Sequence, residues 1–236
     1  MGTIVGMSGG YTEPVERFII ELANKKQPKV LLIPTASGDS PMCIMSFYND
    51  YFLKYGCKVD VLALTYNNLS GDDIQKKILS ADIISVGGGS AYHMLEMWRK
   101  FKVDEHIREA YKRDIILSGT SAGAICWFKY GNGDSNFYRD GKVLKYRRVI
   151  GSGCVNTICF PHYYTDADLY FEKIMKFYDV PAIALNDNAS IFIKDDKYII
   201  LRTGENAKAY KFANKEGIIT KRSIIKEEMM PLKDLL

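Results

Sequence analysis

Short apolar runs alternate with amphipathic segments through the first half of the chain. Residues 29–34 (KVLLIP) are apolar at every position after the first, as in strands that are buried on both faces of a parallel sheet. Residues 12–22 instead repeat apolar side chains every three or four positions, which predicts a helix with one buried face. Strands are predicted at residues 4–7, 29–34, 58–64, 82–86 and 115–117, and helices at residues 12–22, 40–55, 70–79, 90–100 and 104–113.

This alternation predicts an α/β fold, an open and mostly parallel sheet with helices on both faces. From Ser190 onward, segments separated by polar turns predict antiparallel hairpins at the C-terminal end. No internal repeat or linker interrupts the pattern, so residues 1–236 are predicted to form a single domain. Ligands of such sheets bind outside the carboxyl ends of the strands, so the turns at those ends form the candidate site.

The turn after the fifth predicted strand has the pattern of a nucleophile elbow, Gly119-Thr-Ser121-Ala122-Gly123. A serine on a sharp strand-to-helix turn exposes its hydroxyl, and the flanking glycines leave room for the strained backbone. The amide of Ala122, at the start of an apolar helix predicted at residues 122–128, would point toward a developing oxyanion. The alternative is a structural Gly/Ser turn between strand and helix.

Beyond this turn the chain is less regular. Residues 130–148 are polar and glycine-rich, which predicts a loop at the edge of the site. The remaining elements before Ser190 are predicted as a strand at residues 149–158, a helix at 165–178 and a strand at 181–185. The two strands lead toward His162 and Asp187, respectively.

A serine nucleophile needs a base, and histidine is the usual one near neutral pH. Of the three histidines, His93 and His106 lie in predicted helices, where surface or groove positions suit them. His162 follows a strand end and a proline, which places it on the same rim of the sheet as Ser121. We therefore predict His162 as the base, with a turn or a core histidine as the alternative.

Chain order excludes the α/β-hydrolase arrangement, in which the histidine comes last. His162, the last histidine, falls only 41 positions after Ser121, which leaves too little chain between them for the sheet that carries the acid in that arrangement, so any acid must come after His162. Asp187, at the next strand end, is the predicted acid that orients the imidazole. An Asx-type turn is the alternative role of Asp187, and Asn186 or Asn188 is an alternative neutral acceptor for His162.

The turn Gly87-Gly88-Gly89 follows the fourth predicted strand. Residues without a Cβ let the backbone approach closely, so Gly88 is predicted to bring a second amide to the oxyanion. A phosphate cradle is the alternative. The full dinucleotide fingerprint is missing, because Tyr92 and His93 occupy the region of its third glycine.

Composition and charge narrow the possible functions. Hydrophobic residues make up 47% and charged residues 25% of the chain, and the net charge is +4 with both signs mixed, as in soluble globular proteins. No dense basic stripe predicts nucleic-acid binding, and no apolar run approaches the roughly 18 residues of a membrane span. The amino end shows no basic region followed by a cleavage site, so no secretory signal is expected.

The five cysteines are scattered without the pairing of a metal site, which indicates reduced thiols in a cytoplasmic protein. Cys126 lies close to the elbow, but its place in an apolar segment favours core packing over a reactive thiol.

Taken together, the turns at the predicted strand ends resemble those of the peptidase E and cyanophycinase family of serine peptidases. The resemblance rests on residues 86–89 (VGGG), residues 119–124 (GTSAGA), Pro161-His162 and the strand ending at Asp187. It implies a class I glutamine-amidotransferase-like α/β fold in which serine replaces the usual cysteine nucleophile. Peptidase E removes an N-terminal aspartate from dipeptides, and cyanophycinase cleaves β-aspartyl-arginine dipeptides.

The resemblance also implies site residues. Ser121 would be the nucleophile and His162 the base, with Gly88 and Gly89 in the oxyanion hole. In aspartyl dipeptidases an aspartate after the elbow binds substrate; Asp134 lies near that place, although residues 131–135 (GNGDS) depart from the family's wording.

A second departure concerns the acid. The family usually carries Glu where this chain has Asp187, whose side chain is one methylene shorter. Ser90, directly after the triglycine turn, is a further candidate for substrate binding. Spacing singles out no Lys or Arg as the partner of an acidic substrate side chain.

The sequence thus predicts a cytoplasmic serine-type peptidase that hydrolyses small peptides, with dipeptides carrying an N-terminal aspartate as candidate substrates. It needs no metal or organic cofactor and is expected to be a monomer or homodimer. Two alternatives stay open: a hydrolase of a non-peptide or β-aspartyl amide on the same fold, and a non-catalytic binding protein that has kept the pocket.

Overall fold

Two sheets organise the chain. The computed structural model describes residues 2–66, 68–133, 148–164 and 168–236. The first sheet has eight strands in the order β14-β11-β10-β1-β5-β4-β2-β3, and the second has six in the order β13-β12-β9-β8-β6-β7. The strands are β1 (Ile4–Met7), β2 (Lys29–Ile33), β3 (Lys58–Val61), β4 (Ile83–Val86), β5 (Ile116–Thr120), β6 (Phe128–Asn132), β7 (Arg148–Ile150), β8 (Val155–Phe160), β9 (Ala182–Leu185), β10 (Ala189–Lys194), β11 (Lys197–Arg202), β12 (Ala209–Lys215), β13 (Ile218–Ser223) and β14 (Met230–Pro231).

The helices lie where the apolar periodicity predicts most of them. They are α1 (Glu13–Leu22), α2 (Pro41–Tyr48), α3 (Gly71–Leu79), α4 (Ala91–Lys100), α5 (Val103–Lys112), α6 (Ala122–Ile125) and α7 (Asp168–Met175). A π-helical segment, Asn49–Lys54, continues α2 to the end of its predicted span. Ser70 and Asp73 form a capping box that fixes the start of α3. None of the helices described is long and apolar enough to cross a membrane.

The first sheet confirms the predicted α/β architecture. Strands β1, β5, β4, β2 and β3 pair in parallel, and β10, β11 and β14 extend the sheet antiparallel beyond β1. Alternate residues of β2 pack into different cores: Leu31 and Ile33 face the cluster that includes α3 to α5, whereas Val30 and Leu32 face the cluster beneath α1 and α2. Burial on both faces explains why β2 is a continuous apolar run.

The second sheet corrects three sequence predictions. The single strand predicted at residues 149–158 is two strands: β7 pairs antiparallel with β6, and β8 pairs parallel with β6. The break falls at Gly151–Cys154, where Gly151 lies too close to the carbonyl of Phe128 for any Cβ and Gly153 has a φ of +73°. The helix predicted at residues 122–128 ends at Ile125, because β6 begins at Phe128.

The loop predicted at residues 130–148 is also wrong at its ends, since β6 continues to Asn132 and β7 starts at Arg148; residues 134–147 lie outside the described part. The predicted C-terminal hairpins are confirmed as β10–β11 and β12–β13. The latter pairs through β9 into the second sheet. That residues 1–236 form one domain stays a prediction.

Candidate active site

The turn between β5 and α6 is held in a strained conformation by close backbone packing. Ser121 has φ of +58° and ψ of −113°, and its N–H donates to the carbonyl of Met7 at 2.9 Å. A Cβ on Gly123 would lie 2.0 Å from the carbonyl oxygen of Val86, and one on Gly119 would lie 2.4 Å from that of Gly123. Only glycine fits at these two positions, which accounts physically for the spacing in the sequence.

His162 is positioned from the second sheet, two residues after β8. Its N–H donates to the Oγ of Ser8 at 2.6 Å, and that hydroxyl donates in turn to the carbonyl of Leu185 at 3.0 Å. The next N–H, of Tyr163, donates to the same carbonyl at 3.0 Å. The end of β1, the end of β9 and the segment after β8 are thereby joined at one point.

These two turns bring the predicted nucleophile, base and acid into one hydrogen-bonded line. The Nε2 of His162 lies 2.9 Å from the Oγ of Ser121, and its Nδ1 lies 2.7 Å from Oδ1 of Asp187. About a third of each of the latter two side chains is exposed, 36% for His162 and 34% for Asp187. With the proton on Nδ1, the imidazole donates to the carboxylate and accepts from the serine hydroxyl, as proton transfer from serine requires.

The prediction that the strands leading to Ser121 and His162 end at one edge of a single central sheet was wrong. Ser121 follows a strand of the first sheet, whereas His162 follows β8 of the second, and Asp187 lies in the connection from β9 of the second sheet to β10 of the first. The line of side chains therefore forms at the junction of the two sheets.

Gly9, in the turn after β1, packs directly against this line. A Cβ at Gly9 would lie 2.7 Å from Cε1 of His162 and 3.1 Å from Oδ1 of Asp187.

The two asparagines considered as alternative acceptors for His162 do not hydrogen-bond to its ring. The Oδ1 of Asn188 accepts from the N–H of Tyr11 at 2.7 Å. The Oδ1 of Asn186 is buried without a partner among the described residues.

Of the predicted oxyanion residues, Gly88 and Ala122 adjoin the serine. A Cβ on Gly88 would lie 3.4 Å from Cβ and 3.9 Å from Oγ of Ser121. Ala122 is the first residue of α6. Gly89 instead packs against Ala36, whose carbonyl oxygen would lie 2.2 Å from a Cβ there.

The predicted substrate-binding residues are less informative. The Oγ of Ser90 accepts from the N–H of His93 at 3.2 Å, which caps α4. Asp134 lies outside the described residues.

A cavity of about 250 Å³ opens on the α1 and α2 side of Gly88. Its walls combine apolar side chains, among them Phe47, with the carboxylates of Glu16 and Asp50. Burial raises the pKa of Glu16; the hydroxyl of Thr12, which donates to it at 2.8 Å, opposes this shift, and the charge of Asp50 adds to it. Because no Lys, Arg or His is among the described residues of its walls, this cavity suits a cation better than an anion.

The thiol near the elbow packs in the core, as expected. Cys126 is fully buried and burial raises its pKa well above the ordinary value, as it does for Cys159. A buried thiol with a raised pKa is a poor nucleophile. Within the described ranges no three His, Cys, Asp or Glu side chains converge as a metal-binding group.

Comparison with known proteins identifies the family. The sequence pattern of peptidase family S51 matches residues 4–201. The chain belongs to peptidase family S51. This S51 chain is 31% identical over 221 residues to the uncharacterized peptidase YgaJ of Bacillus subtilis (strain 168), a match that covers 89% of the chain and 92% of that protein.

Two solved structures share the fold of this S51 peptidase. A peptidase from an acI-B1 actinobacterium superposes with a TM-score of 0.70 at 18% identity, covering 98% of this chain and 97% of the other. A candidate peptidase E of Listeria monocytogenes EGD-e superposes with a TM-score of 0.65 at 22% identity, covering 86% and 100%, respectively. The predicted resemblance to a peptidase family is confirmed, and the chain is an enzyme of peptidase family S51.

Three residues that contact the site of this S51 peptidase were not predicted from the sequence. Ser8 and Gly9 were recognisable only as part of a tight turn at a strand end, although that position alone places them on the rim of the sheet. Tyr164, whose hydroxyl donates to Oδ2 of Asp187 at 2.6 Å, follows no pattern in the sequence.

Proposed function

We propose that this S51 peptidase hydrolyses small peptides with Ser121 as nucleophile, His162 as general base and Asp187 as the acid that orients the base. The observation that carries the proposal is the continuous line of hydrogen bonds, 2.9 Å from serine to imidazole and 2.7 Å from imidazole to carboxylate. A strained serine at a strand-to-helix turn supports it, because that conformation exposes the hydroxyl to substrate.

The reaction follows from the roles of these groups. His162 takes the proton of Ser121 as its oxygen attacks the scissile carbonyl, and later gives that proton to the leaving amine. Asp187 stabilises the imidazolium that forms between these steps. The backbone amides of Ala122 and Gly88 bind the oxyanion of the tetrahedral intermediate, with Gly89 holding the triglycine turn in place.

The substrate is a short peptide with a free amino end, a dipeptide in the simplest case. The cavity beside Gly88 supports this, since the carboxylates of Glu16 and Asp50 suit the ammonium group of a peptide's first residue. An N-terminal aspartate, the preference of peptidase E, would have to place its own carboxylate elsewhere, where the hydroxyl of Ser90 is the candidate donor. Asp134 stays a candidate for binding another part of the substrate. Cytoplasmic location and a monomeric or dimeric state remain predictions.

A dipeptide panel tests the substrate. Asp-X, Glu-X, β-Asp-X and neutral dipeptides are assayed with free and with acetylated amino ends, using the wild-type chain and Ser121→Ala. We expect turnover of free dipeptides only, a strong loss on acetylation, and no turnover by Ser121→Ala above background.

Three outcomes would contradict the proposal. Equal turnover by the wild type and Ser121→Ala would remove the serine from the mechanism. No turnover of any dipeptide, with Ser121 still labelled by a fluorophosphonate, would instead favour hydrolysis of a non-peptide amide. No dipeptide turnover together with no labelling of Ser121 would favour a non-catalytic binding protein.

A further inference from the structure

We propose that Tyr164 is a positioning residue whose hydroxyl holds the carboxylate of Asp187 in the orientation that serves His162. The inference rests on the proposed serine peptidase function. It assigns a role to a tyrosine that lies two residues after the predicted base and that no sequence pattern singles out.

Each oxygen of the Asp187 carboxylate has its own donor. Oδ1 accepts from Nδ1 of His162 at 2.7 Å, and Oδ2 accepts from the hydroxyl of Tyr164 at 2.6 Å. Both distances are typical of hydrogen bonds to an ionised carboxylate, which are shorter and stronger than those between neutral groups. Together the two donors fix the rotation of the carboxylate about its Cβ–Cγ bond.

The partly exposed position of Asp187 makes this second donor necessary. About a third of the side chain, 34%, is accessible, so water competes for both carboxylate oxygens. Without the hydroxyl of Tyr164, Oδ2 would turn to solvent and Oδ1 would leave Nδ1 in part of the molecules. His162 would then lose its fixed tautomer and ring orientation, which is the service that the acid performs in such a site.

The position of Tyr164 is set by its neighbours. His162 is tied to Ser8 through its N–H, and the N–H of Tyr163 is tied to Leu185. The ring of Tyr163 is fully buried and packs edge-on against an aromatic ring at 5.0 Å, that of Phe171. The backbone that enters Tyr164 is thereby held on both preceding residues.

Core packing does not explain the tyrosine itself. Its side chain is 51% exposed, in contrast to the fully buried Tyr163 beside it. The part of this exposed ring that reaches the carboxylate of Asp187 is its hydroxyl.

A double-mutant cycle on the labelling rate tests the proposal. The second-order rate of fluorophosphonate labelling at Ser121 is measured for the wild type, Tyr164→Phe, Asp187→Ala and the double variant, because it reports the reactivity of the serine without a known substrate. We expect Tyr164→Phe to lower the rate about 5- to 10-fold, the usual size of one hydrogen bond. In the Asp187→Ala background the same change should have no further effect.

Two controls separate positioning from folding and from substrate contact. Tyr66→Phe changes an exposed tyrosine between β3 and α3 and should label at the wild-type rate. With the fastest dipeptide of the panel, Tyr164→Phe should lower kcat and leave KM unchanged, because its hydroxyl acts through Asp187. Thermal unfolding of Tyr164→Phe should match that of the wild type.

Specific results would overturn the inference. A wild-type rate in Tyr164→Phe, with labelling still dependent on Ser121, removes the role of Tyr164 and leaves the proposed function intact. An equal loss of labelling rate in the Asp187→Ala background, or a change in KM alone, would likewise remove the role of Tyr164 and leave the proposed function intact. If the wild type is not labelled at Ser121, the proposed function fails and this inference fails with it.

Discussion

The two sides of the candidate site are built by different means. On the first-sheet side, Ser121 is positioned by backbone alone: a positive φ, and two glycines packed against carbonyl oxygens. On the second-sheet side, His162 and Asp187 are positioned by side chains: the hydroxyls of Ser8 and Tyr164 and an aromatic cluster around Tyr163. The first-sheet side is rigid because nothing larger than glycine fits at two positions of its turn. The second-sheet side is rigid because specific hydrogen-bond donors and aromatic rings hold it.

The contrast shows which parts of the site depend on local sequence. A backbone that requires glycine leaves a fixed spacing of residue types, and few substitutions are compatible with it. A side chain held by distant donors depends on contacts such as that between Ser8 and His162, 154 residues apart. We expect the first-sheet side to fail abruptly on substitution and the second-sheet side to lose function by degrees.

The largest effect is expected on the first-sheet side, from Gly123→Ala. The new Cβ would lie 2.0 Å from the carbonyl oxygen of Val86, so the turn must move. We expect about 3 kcal/mol or more of lost stability and at least about a 100-fold loss of labelling rate, because a small displacement of the nucleophile is costly. Chemical denaturation measures the loss of stability, and fluorophosphonate labelling measures the loss of rate.

Gly71→Ala is the matched control for this change. Gly71 begins α3, and a Cβ there meets no atom within 4 Å. The same substitution should therefore leave labelling unchanged and stability equal or slightly higher, since alanine favours helix. Comparable losses in the two variants would contradict the account of the elbow.

The second-sheet side is tested at Tyr163. Removing its ring in Tyr163→Ala should cost about 3 to 5 kcal/mol and lower activity, because the aromatic cluster that holds the backbone next to His162 collapses. Tyr163→Phe should be neutral or slightly stabilising, because the hydroxyl is buried without a partner among the described residues. Thermal unfolding of both variants checks this, and a large loss in Tyr163→Phe would show that the hydroxyl matters.

The smallest effect concerns the cavity on the first-sheet side. Because burial raises the pKa of Glu16 above its ordinary 4.5, the folded chain keeps that proton at a pH where the unfolded chain has lost it. The contribution of Glu16 to stability therefore falls as pH rises from about 4.5 through the folded-state pKa. Glutamine does not titrate, so Glu16→Gln should gain stability relative to wild type between pH 4 and pH 7, by at most about 1 kcal/mol.

Denaturant titrations of wild type and Glu16→Gln at the two pH values measure this difference, and its change between the two pH values is free of the pH-independent effects of the substitution. A difference that does not change with pH would contradict the assignment. The cavity's role is separate: the same variant should lose activity on dipeptides with a free amino end if Glu16 binds the ammonium group.

The sequence predicts the first-sheet side well for a physical reason. Strand β2 is apolar throughout because it is buried on both faces, and Gly119 and Gly123 are spaced by the demands of a single turn. Both features are local, so they are visible as residue pattern. His162 and Asp187 were predicted by elimination and from chain order. That reasoning requires only that both residues follow strand ends.

What the sequence could not reveal depends on contacts between distant segments. The second sheet was missed because β6 begins directly after a single turn of helix, and because β7 and β8 read as one apolar run. Tyr164 was missed because a tyrosine next to a tyrosine has no periodic or motif signal, and only the folded chain brings its hydroxyl to Asp187. The cavity was missed because Glu16 and Asp50 lie on separate helical segments.

The proposed mechanism requires that His162, from the second sheet, activates Ser121, from the first. Wild type and His162→Ala are treated with a fluorophosphonate, the rates are compared, and the modified residue is located by mass spectrometry. We predict an adduct on Ser121 in the wild type and a rate at least about 100-fold lower in His162→Ala. An adduct on another residue, or equal rates in the two proteins, would contradict it.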